Sequence, residues 1–108
     1  MNKEEIYNLL DNGWIYVETN EPDYFKKVIL DQLQKEDISY NSGKIFIRKS
    51  PRLYKILTNI GMKISTYDSI VILTFHKDAD KIEVNLFSIN SPDTLSTISE
   101  KILKDSIF

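Results

Sequence analysis

The side chains able to do chemistry are few and scattered. The single histidine, His76, closes an apolar run and begins the series His76-x-Asp78-x-Asp80. A Ser-His-acid device needs a base oriented by a carboxylate and a positioned nucleophile. No nucleophile-elbow or oxyanion-loop pattern accompanies this histidine. As metal ligands, the same three residues lack the further oxygen donors, the central glycine and the terminal glutamate of a calcium loop. Lys77 and Lys81 also set cations among them. A solvated turn explains the series better. Glu18-x-x-Glu21-x-Asp23 offers paired carboxylates for proton transfer, yet Asp23 suits the positive first turn of a helix and the glutamates suit a surface turn.

Other catalytic and cofactor classes fall away by composition. With no cysteine there is no disulfide, thiolate ligand or thiol nucleophile. The glycines stand apart at Gly13, Gly43 and Gly61, so neither a phosphate loop nor a dinucleotide fingerprint exists. No cofactor is expected, and a non-catalytic protein is the expectation. Ser50-Pro51 and Ser91-Pro92 could be phosphate acceptors, but a serine N-cap followed by proline at the first helical position accounts for both.

Charge carries the strongest signal. Residues 1–40 hold four lysines against nine acids, a net −5. Residues 41–67 hold Lys44, Arg48, Lys49, Arg52, Lys55 and Lys63 and no acid, a net +6. Residues 68–108 hold four lysines against seven acids, a net −3. The whole chain is −2, so the average conceals a cationic centre between anionic ends. Such segregation speaks to partners and association rates, not to fold.

Within that centre, Lys44-Ile-Phe-Ile-Arg48 alternates. A strand there sets Ile45 and Ile47 on one face and Lys44, Phe46 and Arg48 on the other. An aromatic between two cations on an open sheet face is a stacking platform for an unpaired base. Tyr16 and Phe46 on neighbouring strands resemble the aromatic pair of an RNA-recognition motif, over two short strands and without that family's glycine-aromatic signature. If both sheet faces are covered, Phe46 belongs to the core instead. Arg52, Lys55 and Lys49 extend the cations onto the next helix, whose start presents free N–H groups. About five phosphate contacts would give a salt slope near −4.5 on duplex DNA. The isoelectric point of about 5.4 argues against a nucleic-acid module.

The elements that must position these residues follow from periodicity and punctuation. Ile6, Leu9 and Leu10 mark a short helix ended by Asn12-Gly13. Trp14–Thr19 reads as a strand. Pro22 opens a helix running to about Lys35, with Phe25, Val28, Ile29 and Leu33 on one face. Residues 38–40 and 44–48 flank Asn41-Ser42-Gly43 as a hairpin. Pro51 opens a helix with Leu53, Ile56, Leu57 and Ile60 buried and Gly61 at its cap. Met62–Ile64 suggests a short strand, Ile70–Phe75 a central one, and Lys81–Phe87 an alternating one. Pro92 opens the last long helix, carrying Leu95, Ile98 and Ile102.

That order predicts one α+β domain over residues 1–108: a mainly antiparallel sheet with about three longer helices on one side. The stretch from Trp14 to Ile64 is compatible with an extended ferredoxin-like arrangement. No apolar run approaches the roughly 18–20 residues of a membrane span. The opening Met-Asn-Lys-Glu-Glu lacks signal-peptide character, so the cytoplasm is the expected location.

These readings converge on a small regulator, adaptor or inhibitor. It docks an acidic protein surface through Lys44, Phe46, Arg48, Lys49, Arg52 and Lys55, within the basic 44–63 segment. Its size and Lys/Ile/Asn-rich composition suit a phage or plasmid accessory protein. Nucleic-acid binding through the same residues is the alternative, and a small enzyme using His76 with nearby acids the third. Opposite charges on one chain leave a homodimer open.

Overall fold

The computed structural model describes residues 1–19, 21–28, 30–59, 69–76, 81–88 and 92–104. Helix α1 (Lys3–Asp11) starts at Asn2, whose side-chain oxygen accepts from the Glu5 N–H at 2.9 Å. It ends at Asn12 and Gly13, and Gly13 takes a left-handed φ of 82° that favours glycine. Strand β1 (Trp14–Thr19) follows, then α2 (Pro22–Val28). The hairpin β2 (Ile38–Asn41) and β3 (Lys44–Arg48) leads into α3 (Pro51–Asn59). After it come β4 (Ser69–His76), β5 (Lys81–Ser88) and α4 (Pro92–Leu103). Prolines 22, 51 and 92 each sit at the first helical position, where the missing N–H costs nothing.

One helix is shorter than its periodicity suggests. The segment expected to continue to Lys35 leaves the α-helical ladder after Val28 and tightens into 3-10 turns at Leu30–Gln32 and Lys35–Asp37. There the Leu33 N–H donates to the Leu30 carbonyl and the Asp37 N–H to the Gln34 carbonyl. The Asp37 carboxylate takes the Gln34 N–H at 3.3 Å. This local side-chain bond competes with helix continuation.

The sheet order is β2-β3-β1-β4-β5. Every neighbouring pair is antiparallel except β1 with β4, which run parallel with Tyr16 opposite Ile72. The mainly antiparallel α+β expectation therefore holds. The strand expected at Met62–Ile64 and the cap at Gly61 lie outside the described residues.

Helices on one side of the sheet were expected; they cover both. One face packs Ile15, Val17, Ile45, Ile47, Val71 and Leu73 against Phe25 of α2, Leu30, and Leu53, Ile56 and Leu57 of α3. The other packs Tyr16, Phe46, Ile70 and Ile72 against Ile6 and Leu10 of α1 and Leu95, Ile98 and Ile102 of α4. Consecutive apolar triplets, Ile15-Tyr16-Val17 and Ile45-Phe46-Ile47, are what strands buried on both sides require. No described helix is long and apolar enough to cross a membrane.

Candidate docking surface

The cations of the middle segment divide into two groups. Lys44 and Phe46 point inward; Arg48, Lys49, Arg52 and Lys55 gather around the far end of β3. Phe46 was expected on an open face as a stacking platform, and this is corrected. It has no exposed surface and lies in the core beneath α1 and α4. Its ring meets that of Tyr16 at 5.3 Å between centroids, tilted by 48°. The pair that resembled an RNA-binding couple is thus an internal contact between adjacent strands. Tyr16, at 6% exposure, is likewise withdrawn from solvent. Lys44, beside the hairpin turn, keeps only 9% of its surface exposed and has a partner of its own. Four residue steps along the strand separate it from Arg48, about 13 Å.

The remaining cations are positioned by three local devices. At the end of β3, Arg48 pairs in register with Trp14, and its guanidinium carbon sits 4.7 Å from the indole ring centre. This cation–π contact holds the charge at the surface without neutralising it. Next, the Lys49 N–H donates to the Gly13 carbonyl at 2.8 Å, fastening the exit of β3 to the turn after α1. Then Ser50 caps α3, its hydroxyl oxygen accepting from the Leu53 N–H at 3.1 Å. With Leu53, Ile56 and Leu57 buried, Arg52 and Lys55 face outward. Three residues apart, they lie on one side of the helix, about 4.5 Å apart along its axis.

Arg52 is steadied by an uncharged partner. The Gln34 amide oxygen, oriented toward it, accepts from Nη1 at 3.0 Å and from Nη2 at 3.2 Å. The nearest acid in this chain of contacts is Asp37, one hydrogen bond further on at the Gln34 N–H. Among the described residues, no carboxylate pairs with Arg48, Arg52 or Lys55. The ion pairs Lys3–Glu100 at 3.9 Å and Lys104–Glu100 at 3.4 Å lie on the α1–α4 side instead. The result is a cationic band around one end of the molecule, with Arg48 on the α1 side and Arg52 and Lys55 on the α3 side.

Two clefts adjoin this architecture. One, of about 440 Å³, runs beside Trp14 and is lined by Glu5, Asn8, Leu9, Asn12 and Asn41. The other, of about 630 Å³, lies between α1 and α4 and is lined by Lys3, Glu4, Tyr7, Asn8 and Ser96. Among the described residues, no three His, Asp or Glu side chains gather as metal ligands. His76 ends β4, while Asp78 and Asp80 lie outside the described residues, as does the Ser91 expected to cap α4.

The cations Arg48, Lys49, Arg52 and Lys55 are visible in the sequence, but the groups that hold the first three are not. Trp14, Gln34 and Gly13 come from distant parts of the chain. Only the β1–β3 register, once drawn, sets Trp14 against Arg48. No protein-family model, no curated protein and no solved structure matches the chain.

Proposed function

We propose that this chain is a small non-catalytic binding protein that docks an acidic protein surface through Arg48, Lys49, Arg52 and Lys55. One observation carries the reading: Arg48, Arg52 and Lys55 stay exposed at one end with no described carboxylate against them. A fixed cationic band on a chain of net charge −2 gives the molecule a dipolar character. It steers an acidic partner to one end and repels it from the rest. Arg48 and Arg52 are pre-positioned by Trp14 and Gln34, which lowers the ordering cost of presenting a guanidinium to a carboxylate. A regulator, adaptor or inhibitor fits this arrangement.

The test is affinity purification from the native host, with and without nuclease, using the natural chain and the variant Arg48→Glu/Arg52→Glu/Lys55→Glu. The expected outcome is a protein partner retained after nuclease treatment and lost with the variant. The variant's thermal midpoint should fall by only a few degrees, because all three side chains are exposed and the contacts of Arg48 and Arg52 contribute about 1 kcal/mol or less each. Equal capture by both chains refutes the proposal. Capture abolished by nuclease transfers the band to a nucleic-acid ligand.

A further inference from the structure

The edge strand β5 is built differently from the rest of the surface. Among the described residues it is the last strand of the sheet, with β4 as its one neighbour. Its ladder is unbroken through eight residue pairs, from Ser69↔Ser88 to His76↔Lys81. It contains no proline, glycine or bulge to blunt an exposed edge, and its charged residues are Lys81 at its first position and Glu83. The opposite edge, β2, has only four residues. β5 also leaves an apolar residue uncovered: Leu86 sits opposite the buried Val71, yet is 45% exposed. Val84, two residues earlier on the same face, packs against the core beneath α2 and α3.

We infer that β5 pairs antiparallel with β5 of a second copy of this chain, about a two-fold axis through Val84, to give a continuous ten-strand sheet. The occupant follows from the strand's self-complementarity. Side chains directly opposite in an antiparallel pair share a face. The axis must therefore pass through a residue, and each choice has a distinct consequence. Centring on Glu83 opposes two carboxylates, and centring on Asn85 covers Leu86 with Val84 but leaves the apolar position 82 opposite Ser88. Centring on Val84 sets Val84 against Val84, the apolar position Ile82 against Leu86 twice, and Glu83 against the neutral Asn85. This register covers Leu86 and opposes no like charges. An interface of one edge strand is small, so the dimer forms reversibly with concentration. Its symmetry closes the assembly at two copies, and it leaves the band around Arg48 free.

Sedimentation equilibrium from micromolar to millimolar protein tests the assembly, and two variants test the register. The natural chain should pass from monomer to dimer. Leu86→Lys should remain monomeric with an unchanged melting temperature, since Leu86 is half exposed in the single chain. The protein has no cysteine, so a single introduced one reports position. Val84→Cys should form a disulfide dimer readily. Two Leu86→Cys side chains would lie about 14 Å apart along the strands, beyond the roughly 7 Å Cα separation a disulfide tolerates. A monomer at every concentration, a dimer indifferent to Leu86→Lys, or faster cross-linking at 86 than at 84 overturns the inference.

Discussion

Replacing Phe46 by alanine separates the two roles that its place between Lys44 and Arg48 suggests. The ring is fully buried and touches Tyr16 across the β1–β3 pair, with α1 and α4 above it. Truncating a buried phenylalanine costs about 3–5 kcal/mol, through lost transfer energy and an incompletely collapsed cavity. Against a total stability of about 5–15 kcal/mol, that removes a large share. For a domain near 100 residues, each kcal/mol moves the midpoint by about 4 °C. The expected fall is therefore about 12–20 °C. Calorimetry or circular dichroism melts measure it, and Phe46→Leu should lose much less because it keeps most of the volume. A base-stacking residue behaves in the opposite way: alanine would cost about 1–3 kcal/mol of single-strand binding per base and leave the melt unchanged. A Phe46→Ala variant melting within about 2 °C of the natural chain, under 1 kcal/mol of loss, would refute the core assignment.

Two further predictions concern the devices that shape the cationic band. Arg48→Ala removes the guanidinium from the only tryptophan; it should shift Trp14 emission while lowering stability by no more than about 1 kcal/mol. Identical emission spectra would show that Arg48 does not rest on the ring. Ser50→Ala deletes the cap of α3 and should cost about 1 kcal/mol, read as a lower urea midpoint with an unchanged slope. An unaltered midpoint would mean that the Leu53 N–H has no need of the hydroxyl.

Much of the fold was legible because local chemistry and periodicity agree. Prolines 22, 51 and 92 fixed three helix starts, Asn12-Gly13 a helix end, and Asn41-Ser42-Gly43 a hairpin turn with Ser42 and Gly43 both at positive φ. The second sheet face was harder to read. Lys44-Ile-Phe-Ile-Arg48 satisfies both an alternating strand with an open face and a strand buried on both sides. Only the placement of α1 and α4 over Phe46 decides between them. The parallel direction of β4 against β1 likewise depends on how the chain returns from α3, which no short window encodes. At the cationic band, charge was visible residue by residue. Exposure was not, because it depends on partners as remote as Trp14 and Gln34.

The order of the sheet also governs how the molecule assembles itself. β2 with β3 and β4 with β5 are each joined by short connections and need only their own neighbourhood to form. β1, the earliest strand in the chain, stands between them, and its parallel partnership makes residue 16 wait for residue 72. Contacts of that separation are reached slowly. Six residues, Trp14–Thr19, thus hinge two hairpins into one body, and a substitution that spoils this strand would leave each hairpin without the other.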